Sequence, residues 1–169
     1  MEVNALPKYD SSNNITHCCP RFRTDGWDQQ ELHFKDKLFV KAKTLSFLHI
    51  PLNMGRVYPA TLKAIESAKA NSDDNFIVLS NEKSPWTAEH FFSVNKDVPG
   101  QEMVRLNGNY LTKVFEGPFK NMPKWCIELQ DLVLKKNKKL TNTYFFYTTC
   151  PKCAKVYGEN YVVGLAEFE

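Results

Sequence analysis

Two stretches of this chain run in parallel. Phe47-Leu48-His49-Ile50-Pro51 aligns with Lys113-Val114-Phe115-Glu116-Gly117, and Phe76–Ser80 aligns with Thr143–Tyr147, at a nearly constant offset of about 66 residues. Each copy reads strand, helix, strand, strand. A unit of that make-up cannot bury both its sheet face and its helix alone, so two of them should pack as a pseudo-symmetric pair around a central cleft. The expected class is α+β with an antiparallel sheet. A polar arm over residues 1–30 precedes a single domain over 31–169, whose repeat units span about 31–100 and 101–169.

Alternation of apolar and polar residues begins at Glu31, with Leu32, Phe34, Leu38, Val40 and Ala42 on strand spacing. Thr44–Ile50 continues the strand and Pro51 ends it. Asn53 is placed to cap a helix over Met54–Ala70, with Val57 or Tyr58, Leu62, Ile65 and Ala68 or Lys69 on one face, and Ser72–Asn75 breaks it. Phe76–Leu79 reads as a short buried strand, Asn81–Thr87 as a polar turn carrying Trp86, and His90–Val94 as a further strand. In the second half Met103–Phe115 alternates as a strand or as a hairpin around Asn107-Gly108, and Gly117-Pro118 stops it. Pro123 suits the first turn of a second helix, on which Trp125, Leu129, Leu132 and Val133 form the apolar stripe. Strands Thr143–Thr149 and Tyr161–Phe168 follow, joined by Cys150–Glu159.

Twelve Phe, seven Tyr and three Trp make 13% of the 169 residues, more rings than a core of this size needs, so some are expected to line a pocket. On Thr143–Tyr147, Tyr144 and Phe146 share one face and Phe145 and Tyr147 the other, one pair packing on the helices and one facing the cleft. Trp86 is expected to lid one end of that cleft or to cover the core edge. No apolar run approaches the roughly 20 residues of a membrane-spanning helix, and Met1–Asp10 lacks the apolar segment of a secretion signal. The expectation is a cytoplasmic protein without a membrane partner. Net charge is +3, and the one cationic run, Lys135, Lys136, Lys138 and Lys139, suits a solvated helix end better than a nucleic-acid site.

Tyr110-Leu-Thr-Lys-Val-Phe-Glu-Gly-Pro-Phe119, a helix with Trp125, and Tyr144-Phe-Phe-Tyr147 before a proline resemble the GyrI-like family, met also as effector-binding domains of multidrug-responsive regulators and related in fold to SOUL haem-binding proteins. Gly108, Tyr110, Gly117, Pro118, Phe119, Tyr144, Tyr147 and Pro151 fall in order on that family's pattern. The resemblance implies a cleft that binds small, planar or cationic molecules, and in some members hydrolysis of electrophilic ligands by a glutamate and a tyrosine. It implies a stand-alone module with a small-molecule ligand and no required cofactor.

Glu116, ending an apolar strand before Gly117-Pro118, is the candidate counter-charge or general base, with Tyr147 as the candidate acid. Tyr110, Phe119, Trp125, Tyr144, Trp86 and His49 are the candidate ligand-binding residues. Glu167, the one acid on the final strand, reads as terminal and exposed. No Ser-His-Asp arrangement stands out.

Cysteine offers a separate chemistry. Cys150-Pro-Lys-Cys153 presents two thiols at one point, and Cys18-Cys19 in the arm would complete four ligands for a structural zinc if the arm folded back over them, His17 standing in should adjacent cysteines not both bind. A redox or disulfide pair, a thiol sensor and plain reduced thiols are the alternatives. Cys126, on the second helix, reads as an inert packed thiol.

Overall fold

Strands form where apolar and polar residues alternate, and they run longer than the alternation alone suggests. The computed structural model describes residues 2–8, 10–71 and 76–169, so the break expected at Ser72–Asn75 lies outside the described residues. Among the described residues the elements are β1 (Glu31–Phe47), β2 (Ile50–Pro51), α1 (Met54–Ser67), β3 (Val78–Ser84), β4 (Thr87–Ser93), β5 (Glu102–Glu116), a 3-10 turn (Phe119–Asn121), α2 (Met122–Lys135), β6 (Leu140–Tyr147), α3 (Pro151–Tyr157) and β7 (Tyr161–Phe168). The class is α+β with antiparallel ladders, as the repeat implies. The chain divides into two compact units, Lys35–Asn107 and the combination of Met1–Phe34 with Gly108–Glu169, and the division passes through β1 and β5.

In the Lys35–Asn107 unit the strand order is β2-β1-β4-β3. Helix α1 buries Ile65 beside Val40, Ala70, Phe92, Val94 and Val98. Its inward stripe is Tyr58, Thr61 and Ile65, spaced three and four apart, and Leu62, expected on that face, lies to one side and is exposed. Asn53 precedes the helix without capping it through its side chain, because its Oδ1 accepts the Leu45 N–H at 2.8 Å. Strand β1 ends at Phe47 rather than Ile50. Leu48 and His49 both take positive φ, 48° and 67°, and pair Phe47 with Ile50 across a two-residue turn, a conformation that usually recruits Asn and Gly and that neither residue advertises. The polar segment expected as a turn over Asn81–Thr87 belongs mostly to β3, which turns only at Pro85-Trp86.

In the other unit the order is β6-β7-β5. Strand β5 is continuous through Gly108, so the hairpin alternative at Asn107-Gly108 does not form. Pro123 sits in the first turn of α2, and Trp125, Leu129 and Val133 bury against Leu111, Phe115, Phe145, Val162, Ala166 and Phe168. Gly164 lets the helix approach: a Cβ there would lie 2.7 Å from Leu129 Cδ1 and 3.0 Å from Phe115 Cε2. On the opposite face of this sheet Phe146 meets Phe22 and Trp27, with ring centroids 6.2 and 5.6 Å away. The first thirty residues, read as an arm, thus supply two buried rings, and the pair Phe145 and Tyr147 is the one that packs on the helix.

The connection Cys150–Glu159 is not a plain loop. Residues Pro151–Tyr157 form α3, which Gly158 ends in the left-handed conformation at φ 70°. No helix among the described residues is long and apolar enough to cross a membrane.

Candidate functional site

The register of three strands assembles a carboxylate among tyrosines. Tyr110 on β5 stands directly opposite Glu167 on β7, and Asn142 on β6 flanks Glu167 from the other side, so their side chains share one face of the sheet. Tyr110 lies 4.7 Å from the Phe34 ring and 6.1 Å from Tyr144, whose phenol oxygen accepts a hydrogen bond from Asn142 Nδ2 at 2.9 Å. Gly108 falls on the same face, and a Cβ there would come within 3.1 Å of Glu167 Oε1. A glycine at this point leaves the space the carboxylate occupies. Tyr110 is fully enclosed, Tyr144 nearly so, and Glu167 half-buried. Burial pushes the Tyr110 phenol well above the ordinary tyrosine range, and the nearby Glu167 carboxylate adds to it. Tyr110 therefore stays protonated. On the same face the Trp27 indole N–H is buried without a partner among the described residues.

Of the residues expected to form a site, Tyr110 and Tyr144 meet here and the others do not. Glu116 lies exposed at the far end of β5, opposite Tyr161. Tyr147 faces α2, 5.8 Å from Phe119, which is itself exposed in the 3-10 turn. Trp125 stacks on Phe115 at 5.2 Å as part of the apolar core. Trp86 and His49 belong to turns of the Lys35–Asn107 unit. Trp86 is exposed and edge-on to Phe47 at 5.6 Å, while His49, also exposed, pairs with Glu82. Glu167, read as terminal and exposed, is half-buried beside Tyr110. Its signal in the sequence is the alternation Val163, Leu165, Glu167, which puts it on the inner face of β7.

A second polar cluster went unnoticed in the sequence because its members are far apart in the chain. His90 on β4 is bonded through Nδ1 to Ser80 Oγ at 2.8 Å and through Nε2 to Thr44 Oγ1 at 2.8 Å, with the Tyr58 hydroxyl 3.2 Å from Nδ1. Burial lowers the His90 pKa to about 4, so the imidazole is neutral. A serine bonded to an imidazole is the arrangement of an activated nucleophile. Here the imidazole is oriented by a hydroxyl instead of a carboxylate, and Ser80, Thr44 and His90 are only 5%, 1% and 1% exposed. The cluster fits a satisfied polar layer beneath α1.

Four cysteines come together on the other unit. The Sγ atoms of Cys18, Cys19, Cys150 and Cys153 all lie within 4.8 Å of one another, so the first thirty residues do fold back over the Cys-x-x-Cys segment. His17 is not part of the group. The Thr16 hydroxyl lies 3.3 Å from Cys153 Sγ, and the Cys150 N–H donates to Cys19 Sγ at 3.5 Å. Hydrogen bonding to Thr16 leads in lowering the Cys153 pKa to about 7, while burial raises that of Cys19 to about 12. These residues could hold a metal ion. Cys126 stands apart on α2, half-buried against the core. The lysine run is a surface feature, with Lys136 bonded to Glu31 at 2.6 Å and Lys138 over the Phe168 ring at 5.9 Å.

Fold and site together define an α+β protein with a half-buried carboxylate among tyrosines. The chain belongs to the bacterial hydrolase family, whose profile matches residues 9–168. Among curated proteins, none matches the sequence. Among solved structures the chain is similar to a hydrolase encoded by lin2189 from Listeria innocua, with TM-score 0.59, 8% identity, and coverage of 86% of this chain and 94% of that one. It is similar to an uncharacterized conserved protein from Listeria innocua, with TM-score 0.56, 9% identity, and coverage of 84% and 92%. A third neighbour is the EcmrR C-terminal domain, with TM-score 0.54, 14% identity, and coverage of 85% and 98%. At such identities the likeness is one of fold.

Proposed function

We propose that this protein is a cytoplasmic hydrolase of electrophilic small molecules, with Glu167 in place of Glu116 as the acting carboxylate. The observation that carries the proposal is the register that sets half-buried Glu167 against enclosed Tyr110. A carboxylate in that position takes a proton from water as the water attacks the electrophilic carbon. The Tyr110 phenol, held protonated and packed on Phe34 and Tyr144, acts through Glu167 as a positioning group, holding the carboxylate opposite it on β7 in place. A carboxylate beside aromatic faces also favours ligands that are apolar with cationic character. The hydrolase name of the family and of one structural neighbour supports this reading.

A second reading, binding without turnover, is favoured by the fold shared with the EcmrR C-terminal domain. Purified protein screened against reactive esters and strained-ring compounds separates the two. Turnover should fall at least 100-fold in Glu167→Gln and persist in Glu116→Gln, the size expected for loss of a general base. Unchanged turnover in Glu167→Gln rejects the mechanism, and saturable binding without product supports the second reading.

A further inference from the structure

We propose that Cys18, Cys19, Cys150 and Cys153 form a closed tetrathiolate zinc site that fastens the first thirty residues to α3. Zinc bound by four thiolates at about 2.3 Å in a tetrahedron separates its sulfurs by roughly 3.8 Å along each edge. The Cys18 and Cys19 Sγ atoms stand 3.8 Å apart, and all four sulfurs fall within 4.8 Å of one another. Small adjustments of the thiol rotamers close the remaining distances.

Adjacent cysteines seldom serve one metal, because neighbouring side chains in an extended chain point apart. The backbone removes that obstacle here. His17 takes φ 55°, and the His17 N–H bonds back to Asn14 O at 3.2 Å. The turn aims both thiols the same way, and the Cys18 and Cys19 N–H groups lie 3.4 and 3.3 Å from Thr16 Oγ1. The other pair enters through α3, where Cys150 precedes the first turn and Cys153 projects from it.

The surroundings suit thiolates bound to a metal. The Cys150 N–H already points at Cys19 Sγ, and the Thr16 hydroxyl, which donates to Cys19 O at 3.1 Å, lies 3.3 Å from Cys153 Sγ and ties the two cysteine segments together. Four soft sulfur donors in a tetrahedron select zinc over the hard divalent cations, and with all four positions filled by protein none is left for water or substrate. The site is structural. What it fastens is also visible, since Tyr157 Oη donates to Cys19 O at 2.6 Å and Arg21 pairs with Glu159 at 2.6 Å on the same two segments. The segment so held goes on to place Phe22 and Trp27 over Phe146.

Metal content of protein purified in reducing buffer without added metal, and without a metal-affinity step, tests the proposal. About one zinc per chain is expected, with the metal falling to near zero in the double variant Cys18→Ser, Cys150→Ser and retained in Cys126→Ser. In case the double variant fails to fold, cobalt(II) added to the reduced metal-free full chain should give the intense visible bands and thiolate charge-transfer absorption of a tetrahedral tetrathiolate, saturating at one equivalent. Chelation of the metal should also speed proteolytic cleavage between residues 10 and 30. A chain that carries no zinc and takes up neither zinc nor cobalt when its thiols are reduced overturns the proposal. So does an intact-mass measurement on freshly purified protein showing two disulfides among the four residues.

Discussion

The two units repeat one order of elements and fill the layer between helix and sheet with different chemistry. Beneath α2 the layer is apolar and tight, with Leu129 and Val133 fully buried among Phe115, Phe145 and Val162, and Gly164 yielding space to Leu129. Beneath α1 a neutral histidine is held by three hydroxyls, next to a smaller cluster around Val40, Ile65 and Phe92. The connections between the last two strands differ as well. In the Lys35–Asn107 unit Pro85-Trp86 makes a tight turn, whereas in the other unit α3 intervenes and brings Cys150 and Cys153 to the first thirty residues. An internal repeat thus conserves the order of elements and leaves the layer chemistry and the connection free to vary.

The contrast makes a ranked set of expectations. Leu129→Ala should be the most costly, at about 2–5 kcal/mol, because a fully buried side chain in a tight layer leaves a cavity that its neighbours cannot close. Denaturant unfolding checks this, and a loss below about 1 kcal/mol would show the α2 layer to be less tightly packed than Gly164 implies.

The α1 layer should instead reveal itself through pH. Folded His90 titrates near 4 and an ordinary histidine near 6.5. Above pH 6.5 both forms are neutral and the residue contributes no pH dependence. Between about 6.5 and 4 the unfolded chain binds a proton that the folded chain does not, so stability falls with falling pH, by about 3 kcal/mol in all, and the loss levels off below 4. Stability measured across that range should slope less in His90→Asn than in the parent. An identical slope in both would remove His90 as the cause.

The smallest effect is expected from Ser80→Ala. It deletes one hydroxyl while Tyr58 Oη remains 3.2 Å from His90 Nδ1. A loss of about 0.5–1.5 kcal/mol is expected in the same unfolding measurement. A loss near that of Leu129→Ala would mean that the hydroxyls, rather than the apolar cluster, hold the α1 layer.

Much of this was legible residue by residue. Pro123 and the stripe Trp125, Leu129, Val133 announced α2, because helix-start chemistry and 3.6-residue spacing are local. The pairing of Cys18-Cys19 with Cys150 and Cys153 could be posed as a condition on the chain folding back, and the condition is met. Other features escaped for physical reasons. The Leu48-His49 turn uses residues that rarely adopt positive φ, so composition gave no sign of it. Phe22 and Trp27 sit among Asn, Ser and charges, and a polar neighbourhood conceals buried rings that a distant strand covers. Glu116 drew attention through its local setting, between Phe115 and Gly117, yet burial is decided by which strands lie alongside.

The sequence alone determined the α+β class, the order strand, helix, strand, strand in two copies, and the residue types available for chemistry, because these depend on spacing along the chain. Only the tertiary structure decided that Glu167 is half-buried and Glu116 exposed, that His90 lies between Ser80 and Thr44, and that four sulfurs from opposite ends of the chain share one small volume. The first two outcomes depend on strand register, and a shift of one residue would turn those side chains to the other face, while the third depends on the first thirty residues folding back onto α3.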